Sequence, residues 1–280
     1  KAIYSPLCRE DGTIIDDLIV YKMSEQKLLF CVNASNIDKD FKWMTSQLSA
    51  FPKALKCQLE NKSSEYSLLA LQGPKAFETL KKLSQLFKEI PDLDYYSVCE
   101  LKSFIFARTG YTGEDGFEIF GRHEDILLLW EELLKSGVTP CGLAARDVLR
   151  LEVCYPLYGH ELDDAVTPYD SALSWTVKLQ KNDFIGREVL KNKPQQYKLV
   201  KLILEKGIPR ENYDVLNHEH KKIGSITSGT MSVMLNKGIA LARIELDNVE
   251  NLEKDIFVHI RGRKFKAHLT KKSFVTGGHK

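Results

Sequence analysis

Two adjacent carboxylates, Asp16 and Asp17, interrupt the apolar run TIIDDLIVY at residues 13–21. Burying both there is costly unless something holds them. In a strand, successive side chains point to opposite faces, so Asp16 groups with Ile14 and Leu18, and Asp17 with Ile15, Ile19 and Tyr21. At most one of the two is then expected to face a given cavity, and either can instead mark a solvent-facing side. Glu118, between Phe117 and Ile119, reads first as an exposed strand residue, with a carboxylate that accepts two N–H bonds from an aminopyrimidine edge as the alternative. Before it, Gly110, Gly113 and Gly116 recur around Tyr111. No dinucleotide or phosphate-loop pattern fits them, and a turn that presents an aromatic platform for a flat heterocycle is the alternative to a plain turn. Arg146 and Arg150 are four apart, with Asp147 and Glu152 nearby. They form either a surface ion-pair ladder or, for Arg146 after Ala144-Ala145, a close approach to a ligand carboxylate.

The six cysteines are scattered without a CxxC pair, and the two histidines of Asn217-His218-Glu219-His220 lack a third partner. No metal site is expected, and a reducing compartment fits. Nucleophile elbows and His-Glu-x-x-His pairs are absent as well. Carboxylates, aromatics and Arg suit the positioning of an organic cofactor better than covalent catalysis.

These residues need elements to hold them. Asp11-Gly12 between β-branched runs predicts a hairpin, followed by a strand at residues 27–32. Ile37, Phe41, Met44 and Leu48 make one helix stripe, with Asn33 or Ser35 as its cap. Residues 66–71 read as a strand that breaks at Gly73-Pro74 and continues as a helix with Phe77, Leu80 and Leu83 inward. Strands near 96–102, 103–108 and 117–120 follow, then a helix burying Ile126, Leu129, Trp130 and Leu133, and helical spacing over 142–154. Beyond Pro194, short strands at 198–205, 222–227, 238–245 and 255–261 predict a small β-barrel or sandwich. Arg261-Gly262-Arg263-Lys264 is read as a solvated strand end.

With 40 Lys plus Arg against 38 Asp plus Glu, the net charge of +2 points away from a nucleic-acid partner. A hydrophobic fraction of 43% argues against disorder, and no apolar run predicts a membrane span.

Several stretches, in order, resemble the T-protein family of glycine-cleavage aminomethyltransferases: GTIIDDLIVYK, VNASNIDKD, LLALQGPKA, RTGYTGEDGFEI, CGLAARDVLRLE, PLYG, DFIGRE and IGSITSGT. The resemblance covers nearly the whole chain. It implies an α+β, three-domain cloverleaf with a ferredoxin-like middle domain and a C-terminal β-barrel. The first domain is incomplete, since the family pattern runs about 80 residues further at the N-terminus, a substantial part of a domain. Residues 1–196 form the folate-binding region in this reading, and residues 197–280 the barrel. The implied reaction moves a methylene carbon from the aminomethyl-dihydrolipoyl arm of the lipoylated H-protein to tetrahydrofolate and releases ammonia. By the same resemblance Asp17 is catalytic, Glu118 is the pterin-edge carboxylate, Arg146 binds ligand, and Tyr4, Asn33, Tyr111 and Trp175 line the cofactor cavity. The implied location is the cytoplasm, or the mitochondrial matrix in a eukaryote. His160-Glu161 after PLYG, Asp170 and Val233 depart from the usual pattern. The competing readings are a folate-binding module without transfer chemistry and an inactive truncated form.

Overall fold

The computed structural model describes residues 1–50, 56–83 and 86–278. The chain divides into two compact units, each assembled from separate stretches: residues 1–5, 16–141 and 278–280 in the first, residues 6–15 and 142–277 in the second.

Strands β1 (Ala2–Cys8), β2 (Ile14–Lys22) and β3 (Leu28–Cys31) form a three-stranded sheet in that order. The β1–β2 turn is held by the Asp11 carboxylate, which accepts from the Thr13 backbone N–H at 2.9 Å and the Thr13 hydroxyl at 2.7 Å. A 3-10 helix, Ala34–Asn36, leads into α1 (Ile37–Ala50). Asn33, expected as a cap of α1, is instead the N-cap of this 3-10 helix, and its side chain makes no capping bond, because its amide is spent on Asp16 and Asp17. The apolar stripe of α1 is only half-buried, and the residue this helix does bury is Asp40.

The rest of the first unit is a four-stranded antiparallel sheet in the order β4 (Ser67–Gln72), β7 (Gly116–Gly121), β6 (Phe104–Ala107), β5 (Val98–Leu101), with helices α2 (Ala76–Leu83) and α3 (His123–Lys135). Alternation along its strands builds two cores. Phe104, Phe106, Phe117 and Ile119 pack with Leu80, Ile126, Leu129 and Leu133 of the helices. Ile105, Ala107 and Phe120 face the other way, onto Ala2 and Tyr21 of the three-stranded sheet. Trp130, expected inward, is 39% exposed; its position on α3 falls at the edge of the buried stripe.

The second unit contains α4 (Leu143–Glu152), α5 (Arg187–Asn192) and a closed barrel of β8 (Tyr197–Leu204), β9 (Asp214–Leu216), β10 (Lys222–Ser232), β11 (Lys237–Glu245), β12 (Ile256–Ile260) and β13 (Arg263–Thr270). Closure leaves no free sheet edge. The predicted barrel strands are present. The basic stretch 261–264 is the exposed turn between β12 and β13 with the first two residues of β13, a solvated strand end as expected.

Arg150 corrects the surface-ladder reading. It is 2% exposed and donates to Asp147 at 2.8 Å, Glu161 at 3.1 Å and the Ser228 hydroxyl at 2.8 Å. Glu161, at 0% exposure, also accepts from the Leu157 N–H at 3.0 Å and the Thr227 hydroxyl at 2.5 Å. A buried charge pair survives only when its remaining lone pairs and protons are met in this way.

Candidate active site

The first unit brings Asp17, Tyr4 and Asn33 together. Tyr4 on β1 donates its hydroxyl to Asp17 Oδ2 at 2.9 Å, and the Asn33 side-chain amide donates to Asp17 Oδ1 at 2.9 Å. Asp17 is half-buried. Burial pushes its carboxyl up to about 6, opposed by the Tyr4 hydrogen bond and reinforced by Asp16. Burial first, and Asp17 second, push the Tyr4 hydroxyl well above the usual phenol range, and Tyr111 is near enough to add to it.

Asp16, expected on the opposite face of β2, is fully buried. Its Oδ1 accepts from the Asn33 amide at 2.7 Å and the Asn36 amide at 2.7 Å, and its Oδ2 from the Asn33 backbone N–H at 3.0 Å. One amide group, that of Asn33, donates to both carboxylates. Sequence reading missed Asn36 and Asp40, whose only signal was their place four residues apart beside the β3–α1 connection.

Glu118 is not an exposed strand residue. It lies in register with Ala70 of β4 and Ala107 of β6, on the face that carries Phe120 toward the three-stranded sheet. Its Oε2 accepts from the Thr109 hydroxyl at 2.6 Å and the Tyr21 hydroxyl at 3.3 Å. Both bonds fall on Oε2, and Oε1 receives none from a described residue. Tyr21, four residues beyond Asp17 on β2, shares its face. Tyr21 thereby links Glu118 to the strand that carries Asp17.

The glycine-rich loop is a built turn. Arg108 clamps it with paired bonds to Asp115, Nε to Oδ1 at 2.9 Å and an Nη to Oδ2 at 2.9 Å. Gly110 and Gly116 lie against Gln72, where a Cβ would fall 1.9 Å and 2.8 Å from side-chain atoms. Gln72 in turn donates to the carbonyls of Thr109 and Phe117 and accepts from the Thr112 hydroxyl at 3.0 Å. The loop thereby fixes Thr109 for Glu118 and holds Tyr111 half-buried near Tyr4. Thr109, Tyr21 and Gln72 were not singled out from sequence.

Arg146 and Trp175 belong to the second unit. Arg146 is exposed in the first turn of α4, and Trp175 is 59% exposed in a short 3-10 helix. No group of His, Cys, Asp and Glu among the described residues could hold a metal ion.

Residues 1–181 match the GCVT N-terminal domain, and residues 198–276 match the glycine cleavage T-protein C-terminal barrel domain. The chain belongs to the glycine cleavage T-protein family. An aminomethyltransferase of Staphylococcus saprophyticus is 42% identical over 284 residues, covering 99% of this chain and 77% of the relative. One of Thermosipho melanesiensis is 41% identical, covering 99% and 76%. The crystal structure of the glycine cleavage system aminomethyltransferase T from Bartonella henselae superposes with a TM-score of 0.88 at 30% identity, over 100% of this chain and 77% of that one. The α+β architecture with a terminal barrel is thus a T-protein fold. No helix among its described residues is long and apolar enough to cross a membrane.

Proposed function

We propose that this T-protein family member transfers the methylene carbon of an aminomethyl-dihydrolipoyl group, carried by H-protein, to tetrahydrofolate. The observation that carries the reading is the pair of half-buried, hydrogen-bonded carboxylates, Asp17 between Tyr4 and Asn33, and Glu118 with both of its bonds on Oε2. Tetrahydrofolate, as acceptor substrate, supplies two amine nitrogens and a flat aminopyrimidine edge. Glu118 suits that edge: Thr109 and Tyr21 fix Oε2, and Oε1 remains to accept an N–H. Tyr111 provides a flat face nearby. Arg146 and Trp175 are assigned to ligand binding on family resemblance.

Across the reaction two C–N bonds form, while the C–N bond to ammonia and the C–S bond break. The protons released from the two acceptor amines end on ammonia and the thiol, and no electrons are gained or lost. Asp17 is the group suited to move a proton at the acceptor nitrogen, since a carboxyl held near 6 is ionised at neutral pH yet protonates readily. Its negative charge also favours positive charge developing on the carbon in flight. Tyr4 and Asn33 fix the direction of the carboxylate, and positioning contributes much of the rate.

The test is tetrahydrofolate binding followed by ammonia release from aminomethylated H-protein. Asp17→Asn is expected to keep folate binding and lose transfer by about a hundredfold or more. Near-normal transfer by a folded Asp17→Asn chain would sink the proton-handling role. Binding without turnover by the unmodified chain would leave a folate-binding module, and absence of binding would remove the folate reading.

A further inference from the structure

Behind Asp17 lies a third carboxylate that the reaction above does not use. Asp40, on the first turn of α1, is 1% exposed. Neither of its oxygens receives a hydrogen bond. Among the described residues its hydrogen-bonding neighbour is the Asp16 carboxylate, which is fully buried and already accepts three N–H bonds. Two ionised carboxylates cannot share such a site, and a buried charge without a donor is the costlier alternative. Of the pair, Asp16 has the donors that stabilise an anion and Asp40 has none.

We infer that Asp40 is a positioning residue kept as the neutral acid, its hydroxyl donating to Asp16 so that Asp16 can hold Asn33 against Asp17. The chain of bonds runs from the Asp40 hydroxyl to Asp16, and from the single Asn33 amide to both Asp16 Oδ1 at 2.7 Å and Asp17 Oδ1 at 2.9 Å. Burial pushes the Asp40 carboxyl up to about 8, followed by the hydrogen bond and charge of Asp16, with Asp17 adding and Lys39 of the same helix opposing. Ionisation of Asp40 would put a second charge against Asp16 and weaken its hold on Asn33. The positioning role rests on the proposed part played by Asp17, whereas the protonation of Asp40 does not.

The experiment uses the full chain, its Asp40→Asn variant, which keeps an N–H donor in the same shape, and Asp40→Leu, which keeps the volume and loses the donor. With carbon-13-labelled aspartate, one carboxyl resonance is expected to stay at the neutral-acid position through pH 7, to titrate near pH 8 and to vanish in Asp40→Asn. This readout needs no activity, so failure of the transfer reading leaves it intact. Stability gives a second one. The unfolded Asp40 titrates near 4, so between about pH 4 and 8 the folded chain holds the extra proton and loses stability as pH rises. The melting temperature of Asp40→Asn relative to the unmodified chain is therefore expected to climb from pH 5 to 8 and then level off. In the transfer assay, Asp40→Asn should keep kcat within about twofold at pH 7 and lose the fall in activity above pH 8, while Asp40→Leu loses roughly tenfold to a hundredfold. An Asp40 resonance already ionised at pH 6, or a melting difference that does not vary with pH, overturns the protonation. Equal transfer by Asp40→Asn and Asp40→Leu overturns the positioning role.

Discussion

At the scale of single residues, the two carboxylates proposed for recognition and for proton handling differ in the company each keeps. Glu118 is met by two hydroxyls on one oxygen, while Asp17 is met by a phenol and an amide, one on each. Glu118→Gln replaces an acceptor by a donor where an N–H is to be received. Tetrahydrofolate affinity is expected to fall by about tenfold to a hundredfold, since hydrogen bonds to a charged group contribute about 1.5–3 kcal/mol. Calorimetric titration checks this, and unchanged affinity would detach Glu118 from recognition. Asp16 and Asp17 stood out in sequence, because a charge inside an apolar strand demands a reason, whereas Glu118 reads as an exposed strand residue without the family resemblance. Their partners were less legible. Tyr21 lies 97 residues from Glu118 and Asn33 lies 16 from Asp17. Nothing local to Tyr21 marks it as other than an ordinary apolar strand position.

At the scale of elements, the four-stranded sheet explains how one strand presents Phe117 and Ile119 to the helices and Glu118 to the opposite face. That arrangement depends on close approach of β7 to β4. Gly116 pairs with Gln72, and a Cβ there would fall 2.4 Å from the Leu71 carbonyl oxygen. Gly116→Ala should therefore cost about 2–3 kcal/mol, as overpacking does, visible as a lower urea midpoint with an unchanged slope. Wild-type stability in that variant would mean the strands part without penalty. Strand and helix positions were readable from periodicity. The three-residue strand β9 was not, because so short a run has no period to detect. The half-buried stripe of α1 shows the reverse problem: its spacing was plain, but spacing does not say that an acid would be the residue buried.

At the scale of the whole molecule, stability in the second unit turns on the Arg150–Glu161 pair. Glu161→Gln removes the buried counter-charge of Arg150 and leaves it only the half-exposed Asp147, and should destabilise by up to about 3–5 kcal/mol. Adding Arg150→Met to it is expected to recover part of that loss, and a chemical-denaturation double-mutant cycle measures the coupling. Simple additivity would refute the pairing. The sequence departure at Glu161 thus has a structural role, which only the fold could reveal. A separate consequence follows from the way residues 6–15 belong to the second unit. Arg9 bonds Asp164, which lies 155 residues later, and the Ile14 N–H bonds the Val166 carbonyl at 3.0 Å. On the ribosome this hairpin emerges 155 residues ahead of Asp164 and waits roughly 10–30 s for its partners at ordinary elongation rates. During that wait Ile14 and Ile15, both buried in the finished fold, stand exposed. The nascent chain must be shielded there until residues 164–166 follow it.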